Sequence, residues 1–361
     1  MVKVSRSTNA SNASYSLFSR NFCFLSVILF IAPFGLLYLL LRASSVRQIS
    51  EEEQAIELFR QAHHQDLQMR PLRPLGQALA LAVGRPHIIY GTAWKEGRTA
   101  ELVADAIRSG FRFIDTACQP KHYREDLVGE GWNAAAKELR LGREDVFLQT
   151  KFTGVRGQDL TRIPYNPQDT LPKQVATSLA VSLSNLKTNY LDSWVLHSPM
   201  ETHEETMLVW RTMEENVKGG KVRNLGISNV YDSQALRRLY DEASVKPSFV
   251  QNRFRAETAF DKEIRAFCKE TGMLYQSFWT LTANRQALAT PRIRAMAEEK
   301  GLTPQTLMYA FMMSQGHIPL SGTTDLGHMA EDVDVMKRMV DGEDIFEGDL
   351  GEFSKILGVI N

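Results

Sequence analysis

From Pro86 onward, short apolar or β-branched runs alternate with amphipathic stretches of helical period. Ile88-Ile89-Tyr90 is followed by Thr99–Ser109, Phe113-Ile114 by Glu125–Leu139, and Val146-Phe147-Leu148 by Leu171–Leu186. Leu191–Leu196 precedes Glu204–Lys218, Val222–Ile227 precedes Ser233–Ala243, and Ser248–Gln251 precedes Asp261–Glu270. Leu274–Phe278 leads into Pro291–Lys300 and Pro304–Ser314, and His317–Leu320 into Gly327–Met339. Runs of four to eight apolar residues read as buried strands, and the longer periodic stretches as helices. Strict alternation predicts a parallel sheet, and eight units predict its closure into a (β/α)8 barrel, an α/β fold. An open doubly wound sheet is the competitor. No G-x-G-x-x-G follows the first run, which counts against it.

The pattern also places polar residues where a closed barrel carries its chemistry, at the C-terminal strand ends. Asp115 ends the second predicted strand, Lys151 the third and His197 the fourth, and Tyr123 lies in the loop after Asp115. Singly, each has a plain structural role: an aspartate after a strand is commonly a helix N-cap, and a lysine or histidine there is commonly solvated. Together they read differently. A lysine paired with an aspartate beside a tyrosine hydroxyl is expected to lower the tyrosine pKa. A tyrosine so tuned can protonate a carbonyl oxygen as hydride arrives at carbon, with the histidine orienting that oxygen or sharing the proton.

Upstream, the rhythm is absent. Residues 1–21 form a polar tail, and Phe22–Leu41 is a twenty-residue run without a charge. As a helix it spans about 30 Å, the thickness of bilayer hydrocarbon. Pro33 and Gly35 within it are tolerated in a membrane helix. A cleaved signal is the alternative, but signal cores are shorter and Leu41-Arg42-Ala43 is a poor cleavage site. The expectation is a transmembrane or signal-anchor helix over 22–41, a stalk over 43–84 and a barrel over 85–361. Lys3, Arg6 and Arg20 against Arg42 and Arg47 give little orientation, and the sequons at Asn9 and Asn12 oppose the weak charge cue. A single-pass membrane protein with a cytosolic barrel is the reading carried forward. The cytosolic side is favoured by cysteine usage: Cys23, Cys118 and Cys268 form neither a disulfide framework nor a metal motif.

Composition changes the picture mainly by exclusion. Lys plus Arg equal Asp plus Glu at 42 each, so no global field draws the chain to nucleic acid. Neither a nucleic-acid partner nor a metal is expected, and the barrel is expected to be monomeric.

The strand-end motifs resemble those of the aldo-keto reductase family. Gly110-Phe111-Arg112-Phe113-Ile114-Asp115-Thr116-Ala117, followed by Val128-Gly129-Glu130, is similar to its signature. Thr150-Lys151 resembles its lysine strand, Leu191-Asp192 through Leu196-His197-Ser198-Pro199 its histidine strand, and Gly226-Ile227-Ser228-Asn229 another strand end. The resemblance covers about Pro86 to Val340. It implies a catalytic tetrad of Asp115, Tyr123, Lys151 and His197, and a nicotinamide cofactor extended across the mouth. It further implies that Gly91, Thr92 and Ala93 line the cofactor and that Ser228, Asn229 and Gln251 hold the carboxamide. Phe278 replaces the family's usual stacking tyrosine, while Leu281, Ser321, Thr323 and His328 fall along the cofactor path. The implied substrate is an aldehyde or ketone.

Three departures qualify that reading. The family places its tyrosine five residues after the aspartate, where this chain has Pro120; Tyr123 stands eight residues on, with His122 a rival proton donor. The family's Ile-Pro-Lys-Ser reads Ile318-Pro319-Leu320-Ser321 here, and His328 stands near a family arginine. Loss of those two cations weakens the grip on a 2′-phosphate, so NADPH is the expected cofactor with NADH as the alternative. Trp279-Thr280-Leu281-Thr282 replaces the family's Ser-Pro-Leu-Gly. A cofactor-binding, catalytically weak barrel serving as a membrane-tethered scaffold is the competing function. Cys118 reads as a passive small residue.

Overall fold

The computed structural model describes residues 86–359. The polar tail 1–21, the apolar run 22–41 and the stalk 43–84 lie outside the described residues. Among the described residues no helix is long and apolar enough to cross a membrane.

Eight parallel strands close in sequence order: β1 (Ile89–Gly91), β2 (Phe113–Asp115), β3 (Phe147–Phe152), β4 (Leu191–Leu196), β5 (Val222–Ser228), β6 (Phe249–Arg253), β7 (Leu274–Phe278) and β8 (Ile318–Ser321). The ring shuts where Ile89 and Tyr90 pair with Leu320 and Ser321. Helices alternate with them: α1 (Thr99–Ser109), α2 (Glu125–Leu139), α3 (Leu171–Asn185), α4 (His203–Lys218), α5 (Ser233–Glu242) and α6 (Lys262–Thr271). After β7 come α7 (Arg285–Leu288), α8 (Pro291–Glu299) and α9 (Pro304–Ser314), and after β8 come α10 (Leu326–Val340) and α11 (Leu350–Leu357). All eight predicted units are present. Two strands run two or more residues past their predicted ends, β3 to Phe152 and β6 to Arg253, so Lys151 sits inside β3 rather than at its end. Neither α7 nor α11 was expected, because each is too short for helical period to stand out.

Period-two alternation sorts the barrel interior into layers. Ile89, Val195, Phe249 and Ile318 pack together at the base, with Phe113, Phe147, Leu274 and Leu320 against them. Gly226 leaves room for this layer: a Cβ there would stand 2.3 Å from the Phe249 ring. One pleat higher lies a polar layer. Gln149 Nε2 donates to Asp115 Oδ1 (2.7 Å) and Gln276 Oε1 (2.8 Å), and Gln251 Nε2 donates to the same two oxygens at 3.0 and 2.9 Å. These bonds satisfy groups that would otherwise be costly to bury, and they form the floor of the mouth.

Candidate active site

Asp115 and Lys151 meet on that floor. Lys151 Nζ donates to Asp115 Oδ1 (2.7 Å), Asp115 Oδ2 (2.6 Å) and the Thr116 carbonyl (2.8 Å). Its side chain is 1% exposed. Burial pulls the lysine pKa down while the Asp115 charge pulls it back up. A buried ion is tolerated when paired and fully hydrogen-bonded, and each of the three ammonium protons has an acceptor here.

Tyr123 reaches the same cavity by a compact turn. The Gln119 carbonyl accepts the amides of both His122 and Tyr123 at 3.1 Å. Pro120, second in the turn that opens at Gln119, carries the φ that such turns favour there. Lys151 Nζ lies 5.4 Å from the Tyr123 ring centroid, and the Tyr123 and His197 rings stand 6.1 Å apart, edge to face. Burial, and then the Asp115 charge, push the Tyr123 phenol upward. This corrects the sequence-based expectation of a lowered pKa: burial dominates, and the Asp115 charge adds to it. His122 also lines the cavity, its ring centroid 3.7 Å from that of Trp94.

His197 continues the β4 pairing, its amide donating to the Phe152 carbonyl. Its Nδ1 and Thr153 Oγ1 are 2.7 Å apart. Burial, with Lys151 and His122 nearby, pushes the imidazole down to about 3. The ring is therefore neutral at ordinary pH. If the Thr153 hydroxyl donates to Nδ1, Nε2 carries the proton and serves as a donor.

These side chains open into a cavity of about 770 Å³. Asp115, Tyr123 and His197 line it, and Lys151, bonded to Asp115, is not itself in the lining. Of the residues expected along a cofactor, Gly91, Ala93, Ser228, Asn229, Gln251, Phe278, Leu281, Ser321, Thr323 and His328 line the cavity. Thr92 does not: it is buried, and its hydroxyl donates to the Asp115 carbonyl at 2.9 Å. Gln251 spends its amide on the floor, which leaves its carbonyl oxygen for an incoming donor. A cavity of this volume, lined by Ser228, Asn229 and Gln251 and also by Ser321, Thr323 and His328 near the N-terminus of α10, has room and polar groups for a dinucleotide.

Sequence reasoning passed over Lys95, Arg253 and Asp332, all of which line the cavity. Lys95 Nζ contacts the Gly322 carbonyl, and burial lowers its pKa to about 8. Asp332 accepts from Ser321 Oγ at 2.7 Å, and burial raises it to about 7. Arg253 was detectable by period two, since it follows Gln251 on the inner face. Asp332 stands one helical turn after His328. The Cys118 thiol is buried and pushed well up by burial, in keeping with the passive reading.

An eight-stranded barrel with a buried lysine–aspartate pair, a tyrosine and a neutral histidine at one cavity is the layout of a barrel oxidoreductase. Residues 87–347 match the model of the aldo/keto reductase family. The chain belongs to that family and is an NAD(P)H-dependent oxidoreductase. Similar curated relatives include glycerol 2-dehydrogenase (NADP(+)) of Hypocrea jecorina, 26% identical across 65% of this chain and 79% of that protein. Glyoxal reductase of Bacillus subtilis is 26% identical across 68% of this chain and 80% of its own length. Among solved structures, an aldo/keto reductase from Brucella melitensis superposes with a TM-score of 0.62 at 22% identity, covering 74% of this chain and 94% of that one. A Bombyx mori aldo-keto reductase in complex with NADP gives 0.60 at 20% identity, covering 76% and 91%.

Proposed function

We propose that the barrel reduces an aldehyde or ketone to the alcohol with NADPH, using Tyr123 as the proton donor. The single observation that carries this reading is the shared cavity: Tyr123 and His197 face it together with Asp115, which pairs with Lys151. When bound, the cofactor supplies hydride to the carbonyl carbon. His197, neutral, orients the carbonyl oxygen by donating from Nε2. Tyr123 passes its phenolic proton to that oxygen, and Lys151, 5.4 Å from the ring, offsets part of the charge that remains. Ser228, Asn229 and Gln251 would hold the carboxamide, Phe278 would offer its face to the nicotinamide ring, and Lys95 would meet a phosphate.

The phosphate end supports NADPH with weak discrimination against NADH. Leu320 brings no cation, His328 is exposed, and Glu331 and Asp332 add carboxylates to that end of the cavity. The apolar run 22–41 supports attachment of the barrel to a membrane by a single N-terminal span.

The full-length protein should consume NADPH when given 4-nitrobenzaldehyde, seen as loss of dihydronicotinamide absorbance. Tight NADPH binding by fluorescence without turnover of any aldehyde would replace this reading with the scaffold one.

A further inference from the structure

We propose that Arg253 and Trp279 form an anion-recognition element at the cavity rim, selecting carbonyl substrates that carry a carboxylate over neutral ones. The proposal rests on the reductase reading and names its substrate class.

Arg253 is the last residue of β6, paired in register with Phe278. Gln251, two residues earlier, points into the barrel and bonds Asp115. Period two puts Arg253 on the same inner face one pleat higher, at the mouth with Tyr123 and His197. Its guanidinium carbon lies 4.0 Å from the Trp279 ring centroid and 5.7 Å from that of Phe278. Cation–π contact with Trp279, and a longer one with Phe278, holds the guanidinium at the rim without spending its N–H groups.

Those donors are unspent. Among the described residues no carboxylate forms an ion pair with Arg253, whereas Asp115 is taken by Lys151. Arg253 Nε is buried and has no hydrogen-bond partner. An oriented, unpaired guanidinium in a cavity wall matches the planar geometry of a carboxylate, which accepts two parallel N–H bonds.

The backbone is bent to hold this arrangement. Trp279 has φ 54° and is 48% exposed. Left-handed φ is costly for a bulky aromatic residue, and such strain gathers where a ligand is gripped. A tryptophan held on the rim against that cost, with its face against a cation, is placed for recognition rather than for core packing.

A cofactor phosphate is the other source of anionic oxygen. Arg253 sits beside Phe278, at the proposed nicotinamide end. Lys95 sits against Gly322, beyond β8, toward the phosphates. The arrangement therefore favours the substrate's anion.

The test uses the full-length protein and two aldehydes of nearly equal shape, 4-carboxybenzaldehyde and methyl 4-formylbenzoate. The carboxylate should be preferred in kcat/KM by about tenfold or more, as one charge-assisted contact supplies. Arg253→Gln should bring the ratio close to one, chiefly through KM for the acid, and Arg253→Lys should restore part of it. The Kd for NADPH should stay within about twofold in both variants. Benzoate binding by calorimetry, lost in Arg253→Gln, gives a readout that needs no turnover. Weaker NADPH binding in Arg253→Gln, with both aldehydes slowed alike, would overturn the proposal in favour of a cofactor contact. Reduction of both aldehydes at an Arg253-independent ratio would overturn it while leaving the reductase reading intact. Arg253-dependent benzoate binding without turnover would keep the anion element and remove the reductase.

Discussion

The Tyr123 amide donates to the Gln119 carbonyl at 3.1 Å, and that bond folds a rebuilt loop so that the tyrosine faces His197 across the cavity. The family's tyrosine slot is filled by Pro120, yet a phenol still reaches the mouth. Tyr123→Phe should lower kcat by a factor of about 10² to 10⁴, the usual contribution of a positioned general acid. NADPH affinity should remain within about twofold, measured by fluorescence titration. If Tyr123→Phe reduces aldehydes at the wild-type rate while His122→Gln does not, the proton donor is His122.

The Lys151–Asp115 pair should behave as a unit. Lys151→Met leaves a buried carboxylate without its cation and should cost about 3–5 kcal/mol in urea unfolding. Lys151→Met combined with Asp115→Asn should lose less than Lys151→Met alone, because no stranded charge remains. Strict additivity of the two losses would show that the pair is not coupled.

Much of this was legible before the fold was known, for physical reasons. Hydrophobic alternation sets strand and helix identity locally, so all eight units appeared, and the motif strands carried Asp115, Lys151 and His197 to one mouth. The extension of β6 to Arg253 was passed over because Gln251-Asn252-Arg253 ends the apolar run, although period two from Gln251 carries Arg253 to the inner face. Its contact with Trp279 joins β6 to the loop after β7 and leaves no local pattern. The direction of the Tyr123 shift was misjudged for a related reason. A lysine beside a tyrosine is expected to lower its pKa, but here burial, and then the Asp115 charge, raise it. Thr92 lies in a family-like turn, but its hydroxyl is spent on the Asp115 carbonyl, a contact that only the β1–β2 pairing creates.

Cofactor choice should respond to one cation. Leu320, on β8, lines the cavity where the proposal puts the cofactor's phosphates. Leu320→Lys should tighten NADPH about tenfold or more and leave NADH nearly unaffected, since only NADPH carries the 2′-phosphate. Equal gains for both cofactors would place the new charge at the pyrophosphate instead.

Lys95 should make cofactor binding pH-dependent. Burial, with a smaller push from Arg98, brings its pKa down to about 8 in the cofactor-free protein. Below that value the ammonium is charged and attracts a phosphate; above it the charge is lost. The Kd for NADPH should therefore rise between about pH 8 and 10, and the rise should vanish in Lys95→Met. A Kd that stays flat to pH 10 in the wild type would remove Lys95 from the phosphate contacts.

Asp332 should make stability depend on pH in the direction opposite to an ordinary surface carboxylate. Burial raises it from 3.8 to about 7 in the folded chain, and the Ser321 hydroxyl recovers only part of that. Below about pH 4 both folded and unfolded chains hold the proton, and the contribution to stability is complete. Between about 4 and 7 the unfolded chain releases the proton while the folded chain keeps it, so stability falls as pH rises. Above about 7 both are ionised and the loss levels off, on the order of 4 kcal/mol. Asp332→Asn keeps an acceptor for Ser321 and cannot ionise. Its Tm, measured without cofactor, should match wild type near pH 4 and exceed it near pH 8, by roughly 10 °C for a domain of this size. A Tm difference that is the same at both pH values would mean that Asp332 is already ionised in the fold at low pH, and that the carboxylates at this end of the cavity repel a 2′-phosphate throughout the working range.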